Sequence, residues 1–222
     1  MQTVASKDRG TKSLAAILAG EPSLIPVLHV ENVDHAEPLL AALEEAGIVA
    51  VEVTLRTPAA VDVIERMSRL ATRAAVGAGT LTRPEQFGQV RDAGAEFAVS
   101  PALTSSLAEA AEASGLAYLP GVATPSEALR ARELGFHELK FFPADLMGGP
   151  AFLRHVRPLY PDLRFCPTGG VSNSNIRSYL ELENVFAAGG VYLAPRELIE
   201  AERWADLSKI ARSAVAAASG TE

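Results

Sequence analysis

The chain alternates short apolar runs with longer segments of helical spacing, and the alternation begins after Pro22. Leu24–Val30 is almost continuously apolar, as a strand buried on both faces must be. Val33–Ala46 follows at helical intervals and stops at Gly47. The same unit then recurs. Strands are predicted at Val49–Thr54, Ala74–Gly77, Phe97–Ser100, Leu116–Leu119, Glu138–Phe142, Leu163–Cys166 and Val185–Ala188. Helices are predicted at Pro58–Leu70, Thr82–Ala93, Thr104–Ser114, Pro125–Leu134, Pro150–Leu159 and Asn173–Leu180, with Trp204–Ala218 closing the chain. Gly94, Gly115 and Gly135 stand just past three of these helices.

Eight such units imply a parallel sheet and an α/β fold, a single-domain (β/α)8 TIM barrel. The alternative is an open doubly wound sheet, but no G-x-G-x-x-G follows the first strand. Leu14–Ala19 reads as a short helix with Ser13 as its N-cap, and its apolar run is too short for a signal peptide. The predicted organisation is a flexible tail over 1–12, the barrel over 13–218 and a second flexible tail over 219–222.

Composition narrows the picture. The 222 residues are 48% hydrophobic but only 6% aromatic, so a sizeable core must pack mainly from Ala, Val and Leu. A net charge of -7 argues against nucleic acid and against an anionic membrane surface, while a local site can still hold an anion. No apolar run approaches the roughly 18 residues that span a bilayer. The single cysteine, Cys166, excludes an intrachain disulfide, reads as a small core residue and fits a cytoplasmic protein. None of His29, His35, His137 and His155 has metal-ligand spacing, so no metal is expected.

Candidate chemistry begins at Lys140, flanked by Leu139, Phe141 and Phe142 on a predicted buried strand. Burial disfavours an ammonium, and a neutral amine is a nucleophile for carbonyl carbon. The other reading is a strand-end lysine that reaches water. Glu52 alternates with Val51 and Val53, so it shares one face of its strand and needs a partner there; it suits general acid/base work or a plain ion pair. Arg56, at the strand exit, has the planar fork that grips a carboxylate or phosphate, or else a surface ion pair. Thr80 ends the run Gly77-Ala78-Gly79-Thr80, where small residues admit a ligand, and Ser100-Pro101 ends the fourth strand. The seventh strand runs into Thr168-Gly169-Gly170, with Ser172 as an expected N-cap, and the eighth into Gly189-Gly190-Val191. Paired glycines after strands seven and eight match the phosphate site of such barrels, or two tight turns.

Together these residues resemble the 2-keto-3-deoxy-6-phosphogluconate (KDPG) aldolases, also called 4-hydroxy-2-oxoglutarate (KHG) aldolases. The segments that carry the likeness are EVTLRT at Glu52–Thr57, VGAGT at Val76–Thr80, KFFPA at Lys140–Ala144, RFCPTGG at Arg164–Gly170, and Gly189-Gly190. The resemblance implies a cofactor-independent class I aldolase acting on a keto-acid sugar phosphate and pyruvate, commonly a homotrimer. It implies Lys140 as Schiff-base lysine, Glu52 as proton-transfer carboxylate, and Arg56 and Thr80 as carboxylate contacts. Phe142, Pro101 and Thr168 line the pocket by the same likeness, and Gly169, Gly170, Gly190 and Val191 hold phosphate. Three positions depart from the family pattern: Val191 where serine is frequent, Ala102 in place of a glycine, and Asp145 in place of glutamate. The same residues leave other substrates open: 4-hydroxy-2-oxoglutarate or a galactonate-derived phosphosugar, by the same chemistry. A phosphosugar isomerase or epimerase, and a non-catalytic sugar-phosphate binder, are the rival classes.

Overall fold

A computed structural model describes residues 13–18 and 23–219. The expected tail over 1–12 and residues 220–222 of the second lie outside them, whereas Ser219 is the last residue of a helix. In order the elements are α1 (Leu14–Ile17), β1 (Ser23–Leu28), α2 (Ala36–Glu45), β2 (Ala50–Thr54), α3 (Ala60–Leu70), β3 (Ala75–Gly79), α4 (Glu85–Asp92), β4 (Phe97–Val99), α5 (Ser105–Ser114), β5 (Ala117–Leu119) and β6 (Gly121–Val122). Then come α6 (Pro125–Glu133), β7 (Glu138–Phe141), α7 (Gly149–Val156), β8 (Arg164–Pro167), α8 (Ile176–Leu180), β9 (Ala187–Gly190), α9 (Arg196–Glu200) and α10 (Trp204–Ser219).

The helices form where the sequence supplies a face and a start. α3 buries Ala60, Val63, Ile64 and Met67 on one stripe and turns Arg66 and Arg69 to solvent. α6 opens with a capping box in which the Thr124 hydroxyl accepts from the Glu127 N–H and the Glu127 carboxylate returns to the Thr124 N–H. Ser13 caps α1 as expected, accepting from the Ala16 N–H. Ser172 does not cap α8: Asn175 is the N-cap, and its side-chain oxygen instead accepts from the Ser172 N–H while its amide donates to the Gly170 carbonyl.

All strand pairs are parallel, in a curled arrangement with helices outside. Six strands run in the order β5-β4-β3-β2-β1-β9, and β6-β7-β8 form a second sheet. β5 and β6 are separated only by Pro120, which has no N–H to give a ladder, and its carbonyl accepts from the Lys140 N–H at 2.9 Å. Isolated bridges at Phe165–Val185 and Thr168–Gly189 link β8 to the β9 edge.

Two apolar clusters follow from strand alternation. Val51, Val53, Leu139 and Phe141 point outward into the layer shared with the helices. Ile25, Ala50, Ala75, Phe97, Ala117 and Cys166 point to the concave face, where Leu14, Ala15 and Leu18 of the N-terminal segment pack against the strands' N-terminal ends. The Glu138 carboxylate fastens that segment by accepting from Ser13 Oγ and from the N–H groups of Leu14 (2.7 Å) and Ala15 (3.2 Å).

Candidate active site

With Val51 and Val53 outward, Glu52 must face inward, and with Leu139 and Phe141 outward, so must Lys140. Both are buried, 3% and 6% exposed, and Lys140 Nζ lies 3.3 Å from Glu52 Oε1. Neither could be buried alone without a large desolvation cost, so each supplies the other's partner. Their meeting depends on Gly79: a Cβ there would stand 2.0 Å from Glu52 Oε1. The ring of Phe142 lies beside the amine, its centroid 5.3 Å from Nζ. Cys166 is level with Lys140 on β8. Burial pushes its thiol up to about 12, so it is a packing group and no rival nucleophile.

Thr80 follows Gly79 and adopts a left-handed φ of 64°, rare for a β-branched residue and worth about 1–3 kcal/mol of strain. The kink shifts the ladder, so that the Leu81 N–H, rather than that of Thr80, bonds to the β4 edge at the Val99 carbonyl (3.1 Å). Neither the N–H nor the hydroxyl of Thr80 has a hydrogen-bond partner among the described residues. Arg56 is exposed at the end of β2 and forms no ion pair among the described residues. Pro101 is half-buried, and its backbone approaches Gly121 so closely that a Cβ there would be 2.3 Å from the Pro101 carbonyl.

On the far side, the Thr168 hydroxyl packs against Gly189, and Thr168 is itself buried. Gly169 and Gly170 both have positive φ, 90° and 83°, and Gly170 sits against the Asp145 side chain, 2.2 Å from its Cβ to where its own would be. Gly190 packs on the Tyr192 ring, and Val191 projects into solvent, 64% exposed.

The structure thus brings Lys140, Glu52 and Phe142 together and Thr168 next to Gly189, while Arg56, at the rim, has no ion-pair partner among the described residues. Sequence reasoning passed over Gln86, a buried amide beside the Thr80 turn, because a glutamine in the first turn of a helix reads as solvated. It also gave no role to Glu138, although two residues' spacing from Lys140 places both on one strand face. A cavity of about 410 Å³ lies elsewhere, at the N-terminal ends of β2 and β3 between Leu18, Val49, Ser68 and Ala74, away from this pair. Among the described residues there is no group of three or more His, Cys, Asp or Glu able to hold a metal ion.

The model of the family described as KDPG and KHG aldolase matches residues 17–210. The chain belongs to the KDPG and KHG aldolase family. This aldolase-family chain is 44% identical over 197 residues to a 2-dehydro-3-deoxy-phosphogluconate aldolase of Pseudoalteromonas atlantica, covering 89% of this chain and 92% of the relative. It is 41% identical over 203 residues to the KHG/KDPG aldolase of Escherichia coli K12, covering 91% and 95%. Among solved structures, the KDPG aldolase of Legionella pneumophila, with pyruvate captured at low pH as a covalent carbinolamine intermediate, superposes with a TM-score of 0.87 at 37% identity, covering 91% of this chain and 98% of that one.

Proposed function

We propose that the protein is a class I aldolase that cleaves KDPG reversibly to pyruvate and glyceraldehyde 3-phosphate through a Schiff base on Lys140. The observation that carries this is the buried Lys140–Glu52 pair at 3.3 Å, in a chain of this family. The amine attacks the C2 carbonyl carbon and the carbonyl oxygen takes a proton, giving a carbinolamine. Glu52 delivers the proton that expels this oxygen as water, and a protonated imine remains. Glu52, directly or through water, then accepts the C4 hydroxyl proton. The C3–C4 bond breaks, its electrons pass to the imine as an enamine, and the aldehyde leaves. Protonation at C3 and hydrolysis release pyruvate and restore Lys140. Atoms and electrons balance without a cofactor.

In this reading Arg56 and the free donors of Thr80 hold the carboxylate, Phe142, Pro101 and Thr168 line the pocket, and Gly169, Gly170, Gly190 and Val191 present backbone to phosphate. The two sheets, continuous through Pro120 and bridged at Thr168–Gly189, then form one eight-stranded (β/α)8 barrel over 13–218, with β5 and β6 as halves of its fifth strand. We assign it as a cytoplasmic homotrimer on the family resemblance. Among the described residues no helix is long and apolar enough to cross a membrane.

A second substrate is favoured by two features. Val191 offers no hydroxyl, and the Asp145 carboxylate stands beside Gly170, so the phosphate cradle is weaker in donors and carries an anion. Unphosphorylated 4-hydroxy-2-oxoglutarate avoids both. The test is pyruvate release from each substrate. We expect release from KDPG, with 4-hydroxy-2-oxoglutarate turned over as well; no pyruvate from either overturns the reading.

A further inference from the structure

Thr80, the strained non-glycine residue at the site, is followed by a turn in which the N–H groups of Thr82 and Arg83 find no backbone acceptor among the described residues. The N–H groups of Thr82 and Arg83 both donate to the side-chain oxygen of Gln86, at 2.8 and 2.9 Å. Gln86 is only 6% exposed, and the adjoining Leu81 and Phe87 are buried at 0% and 1%. One buried amide oxygen therefore pins the N–H groups of two consecutive peptide units, on either side of the Thr82 Cα, just beyond the left-handed kink. A β-branched residue leaves φ of 64° readily unless its surroundings fix it.

We propose that Gln86 is a positioning residue for the substrate carboxylate. It fastens the 82–83 turn and so keeps Thr80 left-handed, with its N–H and hydroxyl unpaired one residue past Gly79, which packs on Glu52. Without this clamp Thr80 relaxes toward negative φ, its N–H becomes free to rejoin the β4 ladder, and two donors are withdrawn from the ligand. This rests on the aldolase reading of the site. Gln86 touches no reacting atom; it acts through Thr80.

The test is borohydride trapping of pyruvate on the full chain across pyruvate concentrations, read as half-saturation and as plateau labelling, alongside the melting temperature. For Gln86→Ala the half-saturating concentration rises roughly tenfold, the loss of about one good hydrogen bond to a charged group, while the plateau holds. Gln86→Glu keeps an acceptor oxygen at the same reach and stays near the unaltered protein. Gln86→Asn keeps the amide but draws it back by one methylene; it follows Gln86→Ala and replaces it where that variant does not fold. A lower melting temperature with unchanged half-saturation in Gln86→Ala or Gln86→Asn makes Gln86 a helix cap only and overturns the proposal. Failure of the unaltered protein to trap pyruvate overturns the aldolase reading itself, and the proposal with it.

Discussion

The two ends of the parallel strands carry the same kind of group, a carboxylate, in opposite states. At the start of β7, Glu138 is saturated by Ser13 Oγ and two backbone N–H groups. At the same end of the strands, ahead of β3, Glu44 accepts from the Thr72 hydroxyl and the N–H groups of Thr72, Arg73 and Ala74. Toward the other end, Glu52 has Lys140 as its hydrogen-bonding partner, Thr80 keeps two donors free, and Arg56 is unpaired among the described residues. Carboxylates that the chain satisfies itself stabilise the fold. Polar groups it leaves open are available to a ligand, and a parallel α/β sheet segregates the two by strand direction.

This contrast breaks in graded ways. Lys140→Ala removes the proposed nucleophile and should lower kcat by about 10⁴-fold or more while the protein stays folded, as aldehyde release and circular dichroism would show. Glu52→Gln keeps the shape but loses the proposed proton carrier, and kcat should fall about 10²–10⁴-fold. Gly79→Ala forces the Glu52 carboxyl away from the amine, and steady-state assay should find roughly a 10–100-fold loss. Lys140→Ala also leaves Glu52 buried without its partner and lowers the melting temperature, but in each variant the fall in kcat of the folded protein exceeds what lost stability explains.

At the other end the effects invert. Glu138→Ala should cost about 2–3 kcal/mol in a denaturant titration, because three hydrogen bonds to one carboxylate are lost, with kcat changed far less than by Glu52→Gln. An equal loss of kcat would erase the distinction between the ends. The smallest effect concerns Glu44. Burial raises its proton affinity, but the Thr72 hydroxyl and the N–H groups of Ala74, Arg73 and Thr72 outweigh burial and hold its pKa below 4.5. A pKa depressed in the folded state means the carboxylate stabilises the fold at higher pH, and this contribution fades as pH falls through the folded value. Melting temperatures of Glu44→Gln and the unaltered protein should therefore differ at pH 7 and converge as pH falls through the lowered folded value; a constant gap would contradict the account.

Much of this was legible beforehand, for a physical reason in each case. Inward-facing Glu52 and Lys140 follow from alternation with residues that must be outward. Helix ends at Gly47, Gly94, Gly115 and Gly135 follow from a left-handed φ that those glycines do adopt. β3 extends to Gly79 rather than ending at Gly77, because glycines read as a turn although here they make room for the Glu52 carboxylate and the Phe97 ring. β6 was missed because Pro120 reads as a stop, whereas only its N–H is lost and its carbonyl still serves β7. α9 was missed because five residues carry too little periodicity. The expected Ser172 cap failed because Asn175, with both a donor and an acceptor, closes the loop onto Gly170 instead. The left-handed Thr80 and its Gln86 clamp were illegible: no local preference favours positive φ at threonine, and a tertiary turn imposes it.

The most direct test of the central claim is borohydride reduction in the presence of pyruvate, read by peptide mass. The account predicts one reduced pyruvyl adduct, on the peptide containing Lys140, absent in Lys140→Ala and slowed in Glu52→Gln. A folded protein that gives no adduct, or an adduct on another lysine, would contradict it.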